Sequence, residues 1–222
     1  MYKHVSTTPG RITSAEQIQK HTKEKENYIH EKNALKKIPE LRIYTKNSHT
    51  INGALHENKF NDDDDDVKRI IKEIDLILNS ASLHEDTHVY TGLKRTPARY
   101  FTGSGTAKVH LTAYTSTSTG YDKASMFTRP EKKITQYSAK HSPLNSDAEF
   151  KRTKYGTLHM LKIQLPKGTK AGSVKKISVY SSENEILLHR GYNIEIYPHP
   201  TINHDGIHVW HARVISHTPG KI

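Results

Sequence analysis

The sequence predicts an α+β protein in which helices come first and strands follow. Three observations carry that expectation. Up to about residue 80 the chain has helical character, clearest in VKRIIKEIDLILNSASL, where Val67, Ile70, Ile71, Ile74 and Leu78 recur at the spacings of one helical face. From His88 onward the pattern changes to short segments rich in β-branched and aromatic residues, HVYTGL, KVHLTAYT, TLHMLKIQL, NEILL, YNIEIY and IHVWHARVI, separated by turn residues. Helices grouped before strands, with no internal repeat, argue against an alternating βαβ architecture.

Taken in order, Ser14-Ala-Glu-Gln17 has the spacing of a capping box and opens a helix. The stretch QIQKHTKEKENYIHEKNALKK that follows is rich in Lys and Glu, with a thin apolar stripe of Ile18, Ile29 and Leu35. It reads as an exposed helix, so residues 1–37 are expected to form a basic helical extension and residues 38–222 the main domain. ELRIYTKNSHTINGALHEN is more amphipathic through Ile43, Ile51 and Leu55, with Gly53 weakening it. The acids from Asp62 to Asp66 invite a calcium loop, but the glycine that an EF-hand needs at its sixth position is missing. Asn61 and these acids fit better as a cap, with negative charge at the positive end of the helix dipole. A long loop rich in Gly, Pro, Ser and Lys runs from about Arg129 to Gly156.

Composition narrows the function. Of 222 residues 33% are apolar, against roughly 45–50% in an average soluble domain, which suggests that part of the chain does not pack or packs only on a partner. No window approaches ~18 consecutive apolar residues, so no membrane-spanning helix is expected. The first residues lack the apolar core of a secretory signal. Cysteine is absent, which removes disulfides, thiol nucleophiles and thiolate metal sites together. Both features suit a reducing cytosol. The net charge of +11 favours polyanions or acidic proteins as partners, although Lys20, Lys36, Arg129, Lys151 and Lys176 are spread along the chain rather than gathered in a tract.

Familiar nucleotide and metal signatures are missing. Gly103-Ser-Gly105 lacks the third glycine of a dinucleotide fingerprint and reads as a turn; there is no phosphate-binding GxxxxGK[ST]. The 16 histidines show no zinc spacing, so no metal is expected, and His208 and His211 read as surface or packing residues. The most informative local signal is Tyr180-Ser-Ser-Glu183-Asn-Glu185-Ile-Leu-Leu. On a strand, residues two apart share a face, so Glu183 and Glu185 would lie side by side at the mouth of a buried strand. Such a pair can stabilise a cationic transition state or manage a proton, because like charges at close range push the two pKa values apart. Upstream, Ser116-Thr117-Ser118 ends a strand and is followed by Ala124 and Phe127, expected to pack inward.

These residues resemble the mono-ADP-ribosyltransferases whose site is described by an Arg, a Ser-Thr-Ser and a Glu-x-Glu, a family of bacterial exoenzyme toxins and bacteriophage enzymes that modify host proteins. Tyr44-Thr45, Ser48, Ile51-Asn52 and Leu55 resemble its early helix, and IKEIDLILNSASL running into Val89-Tyr90-Thr91-Gly92-Leu93 resembles its helix and first strand. LHMLKIQLPKGTKAG followed by SSENEILLHRG resembles its later strand, turn and catalytic strand, so the likeness covers roughly residues 38–215. The resemblance implies two packed, roughly perpendicular sheets with N-terminal helices flanking an NAD cleft, NAD as co-substrate and no metal. It implies that Glu185 holds the ribose 2′-hydroxyl and stabilises the oxocarbenium ion, that Glu183 orients an arginine acceptor, and that Ser116 holds Glu185 and the ribose. Thr117 and Ser118 would shape the floor, and Gly92 would let backbone approach nicotinamide. Where the family has an Arg on the NAD phosphates this chain has Thr91, so the charge is expected from Arg95, Arg99, Arg129 or Lys133.

By the same resemblance the acceptors are arginine-bearing host proteins in a bacterial cytoplasm. The basic charge extends this to transcription or translation machinery, to RNA contact, and to NAD-capped RNA as a donor. Two other readings stay open: an NAD glycohydrolase, and a basic nucleic-acid or ribonucleoprotein binding module that keeps the fold without catalysis.

Overall fold

Apolar residues spaced three and four apart on a helix need a facing surface, and here two helices and a block of short strands supply it to one another. The computed structural model describes residues 15–58, 60, 65–93, 97–101, 105–128 and 158–220. Its helices are α1 (Ala15–Lys32), α2 (Pro39–Glu57), α3 (Asp65–Ser80) and the short α4 (Tyr121–Met126). The strands are β1 (Thr87–Leu93), β2 (Ala107–Leu111), β3 (Thr115–Ser118), β4 (His159–Leu165) and β5 (Ala171–Ser173), then β6 (Glu185–Leu188), β7 (Tyr192–Ile196), β8 (Thr201–Ile202) and β9 (His208–His217).

The strands pair in the order β2-β7-β9-β4-β1-β3-β6-β5, with β8 on β9. β1 pairs with β4 along its whole length, from Thr87 opposite Leu165 to Leu93 opposite His159. It meets β3 at a single position, Tyr90 opposite Ser118. The sheet therefore divides into a block of β2, β7, β9, β4 and β1 and a block of β3, β6 and β5, pinched together at that pair.

β6 explains the layering. Its alternation sends Ile186 and Leu188 into a core shared with Val89, Leu161, Ile163 and Ile194 of the larger block. Leu187 points the other way, into a second core with Tyr44 of α2 and Ile71, Ile74 and Leu78 of α3. A strand buried on both faces reads as a continuous apolar run, and Ile186-Leu187-Leu188 is one. α4 lies against β1 and β3, and Ala124 joins a small core with Met160 and Val209.

Some expectations change. KVHLTAYT is not one strand: β2 stops at Leu111 and β3 starts at Thr115. The chain has to cross from one block to the other between them, and Ala113 and Tyr114 are buried against the helices on the way. β5 and β8 have three and two residues, too few to show alternation in sequence. The cap at Ser14, Asn61 to Asp64 and most of the Gly103 turn lie outside the described residues. Asp65 and Asp66 do sit in the first turn of α3, each three residues from a cation, Lys68 and Arg69.

α1 is exposed over residues 22–28 except for half-buried Glu26. In its last turn Ile29 and His30 are buried, and Ile29 joins the inter-block core. Beyond it, Leu35 N–H donates to Ser173 O at 2.9 Å and Ser173 N–H donates to Asn33 O at 2.6 Å, so residues 33–35 run beside β5. Gly172 permits this, because a Cβ there would meet the Leu35 side chain. The end of the span that the sequence assigns to the extension thus packs on the main domain.

One buried ion pair ties α3 to the end of β6. Arg190 donates from Nη2 to Asp75 Oδ2 at 2.6 Å and from Nε at 3.0 Å, while Tyr114 OH donates to Asp75 Oδ1 at 2.6 Å. Removing one partner leaves the other charge buried and uncompensated. Asp75→Ala is therefore expected to lower the unfolding free energy by about 3–5 kcal/mol, read as a fall in the urea midpoint at constant slope.

Candidate active site

A cleft of about 340 Å³ opens where the two blocks and α2 meet, and Ser116, Glu183 and Glu185 all line it. Strand register sets the geometry. Ser118 lies opposite Glu185 and Thr117 opposite Ile186 in the β3–β6 ladder. Opposed residues share a face, and so do residues two apart, so Ser116 and Ser118 stand on the side of Glu185.

The three hydroxyls divide the work. Thr117 Oγ1 donates to Ile186 O at 2.7 Å and is buried. Ser118 Oγ donates to Glu183 O at 2.7 Å and accepts from Gly120 N–H at 3.1 Å, which commits it to fixing the turn that carries Glu183. Ser116 alone of the three is exposed, and its hydroxyl faces both Glu185 and Tyr44, lowering the pKa of each.

Glu183 and Glu185 are not brought together by strand alternation. Glu183 closes a 3₁₀ turn over Ser181–Glu183, Asn184 takes a left-handed conformation with φ of 49°, and only Glu185 belongs to β6. Asn is among the few non-glycine residues that adopt this conformation readily. Both carboxylates still line one cleft, in different surroundings.

Glu185 is 7% exposed, and burial pushes its pKa from 4.5 to about 7. The Ser116 hydrogen bond opposes that rise and the Glu183 charge adds to it. Glu183 is half-buried, and burial raises its pKa too.

Tyr44 was not foreseen as a site residue. It is fully buried, packs edge-on against Tyr114 with ring centroids 5.4 Å apart, and its hydroxyl accepts from Asn52 Nδ2 at 3.1 Å. Burial, and then the Glu185 charge beside it, keeps the phenol protonated. Tyr90 and the exposed rim residue Tyr180 also line the cleft. Tyr44 and Tyr90 stand among the residues that carry the family resemblance, but nothing in the sequence pattern gives them a role in the cleft, and Tyr180 has no signal of its own.

Thr91 and Gly92 line the same cleft. A Cβ on Gly92 would lie 2.7 Å from the Phe127 carbonyl carbon and 2.8 Å from Thr128 N, so this glycine accommodates the chain leaving α4. Ala124 packs inward as expected, but Phe127 is 52% exposed and lines the cleft. Among the described residues the cleft lining contains no Lys or Arg. Arg95, Arg129, Lys133 and the Arg99 side chain lie outside the described residues. No group of three or more potential metal ligands occurs among the described residues.

A family model for the ADP-ribosyltransferase exoenzyme matches residues 18–209. The chain belongs to this family. Its fold is also that of solved ADP-ribosyltransferases. Plx2a, a toxin from Paenibacillus larvae, is 20% identical with a TM-score of 0.58, over 90% of this chain and 97% of that one. C3stau2 from S. aureus, solved with NAD, is 18% identical with a TM-score of 0.60, over 88% and 95%. The Vis toxin from Vibrio splendidus is 13% identical with a TM-score of 0.57, over 94% and 88%. Comparison with curated protein sequences gives no match.

NAD is the co-substrate of an ADP-ribosyltransferase, and the cleft suits its reacting end. A buried carboxylate flanked by a hydroxyl can hold a ribose hydroxyl and face the positive charge that grows on the sugar as nicotinamide leaves. Burial of Glu185 has a cost that depends on pH. Its folded pKa lies above its unfolded value, so its contribution to stability is present below pH ~4.5 and is lost as pH rises to about 7. Glu185→Gln cannot ionise. It is expected to be more stable than wild type at pH 8, by up to about 3 kcal/mol, and no more stable at pH 4.5; thermal melts at the two pH values measure this.

Proposed function

We propose that this enzyme transfers ADP-ribose from NAD to arginine side chains of target proteins and releases nicotinamide. The observation that carries the arginine reading is the second carboxylate: Glu183 lines the cleft with Glu185, on a separate turn and less buried. A guanidinium has a pKa above ~12 and must give up a proton to become a nucleophile. A half-buried carboxylate at the mouth, with its pKa raised by burial, is suited to attract the cation and accept that proton. Vis, which shares the fold, has been solved in complex with agmatine, itself an alkyl guanidinium.

Glu185 stabilises the charge on the ribose as the glycosidic bond breaks, Ser116 and Tyr44 fix its carboxylate, and Glu183 prepares the acceptor. The NAD phosphates need a cation that Thr91 does not provide. Of Arg95, Arg99, Arg129 and Lys133, we favour Arg129, which follows directly on Thr128, whose backbone nitrogen lies against Gly92. The targets are proposed to be host proteins in a bacterial cytoplasm, where the +11 charge favours partners bound to nucleic acid.

Nicotinamide release and labelling of agmatine are read on the same samples. Glu185→Gln is expected to lose both by about 10²-fold or more. Glu183→Gln is expected to keep NAD cleavage and lose agmatine labelling by about 10²-fold. Equal loss in both assays for Glu183→Gln would remove its acceptor role, and wild-type cleavage with no labelled acceptor would make the protein an NAD glycohydrolase. Among single alanine changes at the four basic positions, Arg129→Ala is expected to raise the KM for NAD about tenfold or more with little change in kcat.

A further inference from the structure

α1 lies outside the cleft but reaches the segment that carries the two glutamates. His30, near the end of α1, is 3% exposed, and its ring sits between hydroxyls from two separate strand ends. Its Nδ1 is 2.7 Å from Ser173 Oγ and its Nε2 is 3.0 Å from Thr119 Oγ1. Burial, helped by the Lys175 charge, lowers its pKa to about 4, so the ring is neutral at physiological pH. A neutral imidazole has one donor and one acceptor nitrogen. Ser173 Oγ already accepts from Lys175 N–H at 3.3 Å, which suits it to donate its own proton to Nδ1. Nε2–H then donates to Thr119.

Both partners touch the segment that carries the glutamates. Thr119 follows Ser118, and its N–H donates to Asn184 O at 3.3 Å. Ser173 lies opposite Ile186 in the β5–β6 ladder. One turn earlier on α1, the Glu26 carboxylate accepts from Asn184 Nδ2 at 3.4 Å. Asn184 is the left-handed residue between the two glutamates, a conformation that persists only where its surroundings hold it. α1 thus grips that residue from one side while β3 grips it from the other.

We propose that His30 is a positioning residue for Glu185, a neutral link that ties α1 to Thr119 and Ser173 and so fixes the turn from Glu183 to Glu185 against β3. Its kinetic signature rests on the NAD-cleaving reading above; its structural signature does not.

Four proteins test it: wild type, His30→Ala, His30→Gln and His30→Asn, each checked for folding by near-ultraviolet circular dichroism and thermal melting. Gln extends its amide to the position of Nε2, within reach of Thr119, whereas Asn reaches only the position of Nδ1. His30→Ala and His30→Asn are expected to lower kcat for nicotinamide release about 10–100-fold, with KM for NAD changed less than about twofold, and His30→Gln to recover most of kcat. In carbon-13 NMR titrations the Glu185 carboxyl is expected to titrate near pH 7 in wild type and lower in His30→Ala, because a loosened turn admits water.

Wild-type kcat and an unchanged Glu185 titration in His30→Ala, with only a lower melting temperature, would overturn the proposal. So would equal kcat in the Gln and Asn variants, which also decide the matter if the Ala variant fails to fold. If wild type leaves NAD intact, the transferase reading fails, and the titration still decides the role of His30.

Discussion

A carboxylate buried at the head of a strand that is itself buried on both faces is the constraint around which this protein is arranged. Ile186, Leu187 and Leu188 are each fully buried, and they alternate between two different cores. A slip of β6 by one residue would exchange those cores and drive Glu185 into apolar surroundings. The register that packs the protein is therefore the register that places its chemistry. Thr117, bonded to the Ile186 carbonyl, holds the ladder at that position.

Glu183 is freed from the same constraint by leaving the strand. With Asn184 in the left-handed region, the chain turns between the two carboxylates, and Ser118 holds the Glu183 carbonyl in place. The result is two similar acids in unequal settings. Glu185 is almost fully enclosed between Ser116 and Tyr44, while Glu183 keeps contact with solvent. Carboxylates whose environments differ in this way can take different roles in one reaction. Two glutamates alternating on a single strand would have shared one setting and one face.

Sequence reasoning reached these acids through a false geometry and a true pattern. The apolar run after Glu185 and the helical period of α3 were legible because burial on defined faces imposes a period. Tyr44 and Asn52 carry part of the family resemblance, but their roles were not legible, and His30 gave no signal, because each acts through a partner far away in sequence: Ser116, Tyr114 and Ser173 respectively. Lys and Glu dominate the composition of α1, so its thin apolar stripe, Ile29 included, read as an exposed helix although Ile29 and His30 are buried. β3 was obscured for another reason. The crossing at Ala113 and Tyr114 is apolar enough to read as strand, although its residues pack against helices.

The electrostatics of the cleft separate donor binding from chemistry. Among the described residues its charged lining is acidic, which favours cations and opposes the two phosphates of NAD. Thr91 lies on the face of β1 that also presents Val89 and Leu93 to the inter-block core, so a long cation at that position would enter the cleft from a rigid strand. Threonine is too short to do so. If Arg129 supplies the charge instead, phosphate recognition falls to the residue directly after Thr128, whose backbone nitrogen closely approaches Gly92. Substitutions there would change the affinity for NAD while β3 and β6 continue to set the two carboxylates. An Arg on β1 would tie phosphate recognition to the strand that pairs with β3, whereas Thr91 leaves that strand without a cation in the cleft.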